Sequence, residues 1–132
     1  MSKSRKDERP FKFNDWIAEE FDQSGPFTAM VLLVSIGEIE VTPLRSTFLH
    51  VIGDEIDWLS FSEMMRGANV NWDGAMIMPM RDEDGGLFED ESARQELRKL
   101  EQRIIEDRLL LNQGHFFDKW GRRLKIEEAP AQ

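Results

Sequence analysis

His50 and His115 are the only imidazoles in the chain, and each has a carboxylate close by in sequence, Asp54 and Asp118. Two imidazoles and one carboxylate are the donors of a common type of metal centre. A small metal-assisted enzyme using His50 and His115 is therefore one alternative reading, although nothing in the spacing requires the fold to bring them together. A histidine in an apolar run such as Phe48-Leu49-His50-Val51 is ordinarily a half-buried structural residue. Residues 69–74, Asn-Val-Asn-Trp-Asp-Gly, place oxygen donors at alternate positions and a glycine at the bend, as the first half of a calcium loop does. Met80 then stands where the bidentate glutamate belongs, so the segment reads as a turn rich in Asn, Asp and Gly.

Acid–base catalysis needs two carboxyl groups with separated affinities for the proton. Glu38/Glu40 and Asp54/Asp57 are formal candidates, but with 26 Asp and Glu in the chain such pairs arise by chance. There is no tyrosine and no cysteine, which removes phenol and thiolate chemistry, disulfides and thiolate-bound metals. G-x-S-x-G, P-loop, G-x-G-x-x-G and H-E-x-x-H patterns are all missing. The sequence assigns no catalytic residue, no cofactor and no metal-ligand set, and it reads as a non-enzyme.

What the sequence does offer is a surface for another protein. Methionine is flexible and polarizable, so a methionine-lined surface adapts to varied apolar partners. Met76, Met78 and Met80 share one face of a strand by period-two geometry. Met64 and Met65 lie on a short helix just before, and Trp58 and Trp72 are close enough to frame a groove. Pro79 marks an edge strand, because proline cannot donate to a central ladder. Asp82, Glu83 and Asp84, with Glu63, would give the groove a negative rim. Those ten residues, Trp58, Met64, Met65, Trp72, Met76, Met78, Met80, Asp82, Glu83 and Asp84, are the candidate partner contacts. The competing reading of the methionine stripe is a soft core between sheet and helix.

Charge points the same way. Residues 13–91 carry three basic and seventeen acidic groups, whereas residues 1–12 are net +3 and residues 92–125 net +4 within a chain of net −9. So acidic a body repels phosphate backbones, which disfavours nucleic acid and favours a protein with a basic or amphipathic segment. The same charge allows a third reading, a nucleic-acid-mimicking inhibitor of a basic protein. A homodimer is compatible with the sequence. No apolar run approaches a bilayer span and no secretory leader is visible, so the expected address is cytoplasmic and no membrane partner is expected.

The elements that would position these residues read as α+β. A chain of 132 residues suits one domain, here residues 11–125 between a disordered basic arm (1–10) and a flexible tail (126–132). A helix over 15–23, capped by Asn14, buries Phe13, Trp16, Ile17 and Phe21 and stops at Gly25-Pro26. Strands are expected at 27–34 (apolar throughout and buried on both faces), 38–41, 47–52, 56–59 and 75–80, with Pro43 ending the second. A short helix begins at Ser60, boxed with Glu63. A long helix runs from Ser92 to Gly114 on a seam of Leu97, Leu100, Ile104 and Leu111, and Phe116, Phe117, Trp120 and Leu124 suggest a final short helix. The expected fold is an antiparallel meander of four to five strands covered by an N-terminal helix and a long C-terminal helix. On this reading the protein is a non-catalytic binding module: an adaptor, a chaperone or an inhibitor.

Overall fold

The computed structural model describes residues 8–53 and 55–127. It has one antiparallel four-stranded sheet with three α-helices, a mixed α+β fold. In chain order these are α1 (Phe13–Ser24), β1 (Phe27–Ile36), β2 (Val41–Val51), α2 (Trp58–Arg66), β3 (Gly74–Met80), α3 (Asp90–Glu106) and β4 (His115–Asp118), with a 3-10 turn at Arg108–Asn112. The strand order is β2-β1-β3-β4, so the simple meander is corrected in one respect. After the β1–β2 hairpin the chain crosses through α2 and lays β3 on the other side of β1.

β1 explains the layering. Its first eight residues are all buried, and side chains alternate across a strand. Phe27, Ala29, Val31 and Leu33 join Phe13, Trp16 and Ile17 of α1 and Phe61 and Met65 of α2 on one face. Met30, Leu32 and Val34 join Ala93, Leu97, Leu100 and Ile104 of α3 on the other. A strand apolar throughout must be covered twice, and here the terminal helices take opposite faces.

Several boundaries differ from the sequence reading for identifiable reasons. Pro43 lies inside β2, an edge strand where a missing N–H costs no central ladder bond. A register shift opposite Leu33/Val34 leaves Leu44 as a bulged residue beside it. Residues 56–59 do not form a strand, because Asp57 starts α2: Ser60 N donates to its carboxylate at 2.9 Å and Asp57 N donates to Ser60 Oγ at 3.1 Å. The box therefore sits three residues earlier than the Ser60/Glu63 pairing. The bond from Ser60 N foremost, and then the Ser60 side chain, hold the Asp57 carboxyl below its ordinary value. Asn14 does not cap α1; its Oδ1 accepts from Trp58 N at 2.6 Å and ties α1 to α2.

α3 ends at Glu106, since Asp107 turns extended and its carboxylate accepts from Leu109 N, starting the 3-10 turn. Leu111 still reaches the core from that turn. Phe116 and Phe117 alternate across β4 instead of lying on a helix, one in each core cluster. At the ends, residues 1–7 of the arm and 128–132 of the tail lie outside the described residues. Arg9 is anchored, donating to Gly114 O and Asn112 O, and Ile126 N donates to Asn112 Oδ1.

Candidate functional site

The two histidines lie on opposite edges and opposite faces of the sheet. His50, on β2, packs on the α3 side: its Nδ1 lies 3.0 Å from Thr28 Oγ1 and its Nε2 lies 3.0 Å from Asp90 Oδ1. The Thr28 hydroxyl, fully buried, also accepts from Phe88 N, so this trio joins two strands to the start of α3. His115, on β4, stacks on Trp16 of α1 with ring centroids 4.3 Å apart, and its Nδ1 is 3.1 Å from an Arg123 nitrogen. With β1 and β3 between them, the two are parted by three interstrand steps, about 14 Å across the sheet, and by a three-residue offset along it. Asp54, the carboxylate nearest His50 in sequence, lies outside the described residues. Among the described residues no group of three or more histidines and carboxylates is placed to hold a metal.

The half calcium loop is a turn. Asn69 adopts a left-handed φ of 58°, Asp73 N donates to Val34 O, and Asp73 Oδ2 accepts from Ile36 N. Asp82 is likewise occupied by its own loop: one carboxylate oxygen accepts from both Asp84 N and Gly86 N at 2.9 Å. Glu83 and Asp84 stay exposed at the tip.

The methionines do not form one groove. Met76 is fully buried and, with half-buried Met78 and Met80, packs on the α3 face. Met65 is buried on the other face, under α2. The sheet itself separates the two groups, which period and proximity in sequence could not reveal. Trp58 and Trp72 belong to the aromatic packing of the α1/α2 face: Trp58 lies edge-on to Phe13 and stacks on Phe61, and its indole N–H donates to Lys119 O. The Pro79 signal holds only locally. β4 pairs with residues 74–77 of β3, leaving 78–80 with a strand neighbour on one side alone.

The exposed member of the set is Met64, 47% accessible, and it stands beside a feature that the sequence reading missed. Here the outer edge of β2 runs past α2, and a cleft of about 370 Å³ opens between them. Leu33, Phe48, Leu49, Met64, Met65 and Ala68 supply most of its walls. Among the described residues no backbone group from another segment bonds to the outer edge of β2. Pro43, the Leu44 bulge and Arg45 blunt the first part of that edge, as edge strands commonly are blunted. Residues 46–51 carry no such device. One face-bridging bond, from Ser46 Oγ to Glu101, fixes the strand against α3 without touching its edge.

No protein family, curated protein or solved structure matches the chain. Among the described residues no helix is long and apolar enough to cross a membrane.

Proposed function

We propose that this protein is a non-catalytic binding module that receives an extended segment of another protein along the outer edge of β2. The open edge over 46–51, lying beside an apolar cleft, is the observation that supports it. Strand addition of this kind draws affinity from main-chain hydrogen bonds and specificity from pockets for alternate side chains. The cleft walls of Leu33, Leu49, Met64 and Met65 suit apolar side chains at every second position of the incoming strand. Exposed Glu63 beside Met64, within a stretch of net −14, suits Lys or Arg between them. A second copy fits less well, since two bodies of net −9 would have to align side by side.

Peptide display against the full chain, followed by hydrogen exchange on the complex, tests the proposal. Selected peptides should alternate apolar and basic residues and should protect amides within residues 46–51. Met64→Ser, at a site already half exposed, should keep the melting temperature while weakening those peptides about tenfold. Selection of acidic or helical peptides, protection confined to other elements, or a stable dimer that protects the same edge would overturn the reading.

A further inference from the structure

A second depression, of about 570 Å³, lies where α2 ends and the chain turns into β3. Ser62, Arg66, Asn69, Asn71, Trp72 and Lys119 supply its polar and aromatic lining. Its chemistry runs against the rest of the body. Of the three basic residues in 13–91, one is here, Lys119 joins it from β4's end, and no carboxylate is among the lining residues.

The lining is also unspent. Arg66, Asn69 and Asn71 make no side-chain hydrogen bond or ion pair among the described residues. Lys119 is held only loosely, its Nζ 3.7 Å from Asp73 Oδ1, while the other oxygen of Asp73 is taken by Ile36 N. Arg66 stands in the last turn of α2, where a cation offsets the helix dipole. That role needs only the charge and leaves the planar fork of donors unused.

We propose that this depression binds a small phosphate monoester. Two cations match a dianion, a guanidinium grips two oxygens at once, and two side-chain amides supply further donors. Trp72, half-buried at the rim, offers a surface for a flat organic group on the same molecule. A lone carboxylate would use fewer of these donors.

Titration of the isotope-labelled full chain with inorganic phosphate, phenyl phosphate and acetate, at constant ionic strength, tests this by NMR. Phosphate should shift the Trp72 indole N–H and the Asn69 and Asn71 side-chain amides saturably, with phenyl phosphate tighter and acetate at least about tenfold weaker. Arg66→Gln and Lys119→Gln should each weaken phosphate by about tenfold or more with unchanged melting temperature. Linear, unsaturating shifts, acetate binding equal to phosphate, or an Arg66→Gln variant that loses stability but binds phosphate normally would overturn the proposal.

Discussion

Along β4 the outer edge of the sheet is closed by the chain itself, whereas along β2 it stands open. On the closed side, residues 122–124 fold back: Asp118 N donates to Arg122 O, Leu124 N to Phe116 O, and Arg123 N to Phe11 O. The Arg123 guanidinium donates to Pro10 O and lies 5.0 Å over the Phe117 ring. On the open side, protection stops with Pro43, the bulge and Arg45. Both edges flank the same sheet and the same core, so the difference does not come from packing depth. Distant segments of the chain must meet to seal an edge, and at β2 none of the described segments arrives. What the fold leaves unsealed is the place to look for a partner.

Breaking the closed edge should have the largest effect. Gly121 makes its turn at φ +77°, and a Cβ there would lie 2.8 Å from the Trp58 ring. A side chain in that backbone region costs about 1–2 kcal/mol and the overlap about 1–3 kcal/mol. Gly121→Ala is thus expected to destabilise by about 2–5 kcal/mol in denaturant unfolding. A loss below about 1 kcal/mol would mean that the return segment contributes little to the fold.

A matched pair sharpens the contrast. Arg123→Ala removes a bond to the Pro10 carbonyl, the contact with His115 Nδ1 and a ring contact, for an expected loss of about 1–3 kcal/mol. Thr47→Lys, on the exposed side of the open edge, should change stability by under about 0.5 kcal/mol. Equal losses would erase the distinction between the edges.

The smallest effect is one of pH. Asp57 caps α2, the helix that walls the cleft, and its carboxyl is held below its ordinary 3.8 by the bond from Ser60 N. Because the folded form holds its proton less tightly than the unfolded one, this contribution is complete above about pH 4 and is lost as pH falls through the lowered value. Hydrogen exchange in α2 should therefore accelerate in acid before exchange in β4 does, and Asp57→Asn should abolish that order. Loss of both together would separate α2 from the open edge.

Much of this architecture could be read from local patterns. The faces of α1 and of α3, with Leu97, Leu100 and Ile104 inward, follow from helical spacing, and β1 follows from an apolar run between Gly25-Pro26 and Gly37. Pairing order is non-local, so the sequence showed no reason for β3 to join β1 rather than β2. The same gap explains the candidate site. Met64 and Met65 were legible as helix methionines, but only the sheet order puts them beside a free edge, and it puts Met76, Met78 and Met80 behind the sheet. Trp72, which its place in the sequence groups with the methionines, lies instead at the depression where α2 ends, beside Arg66 and Lys119.

The closed edge also has a consequence for assembly in time. Arg123 meets Pro10 across 113 positions of sequence, and Arg9 meets Gly114 across 105. Loop-closure entropy delays contacts of such separation until most of the chain is collapsed. During synthesis, α1 and the first two strands exist long before residues 122–124 leave the ribosome. For that interval the growing sheet has raw edges on both sides, and exposed strand edges are where nascent chains aggregate. Slowing translation ahead of residue 122 should therefore raise the insoluble fraction, while leaving the finished protein unchanged.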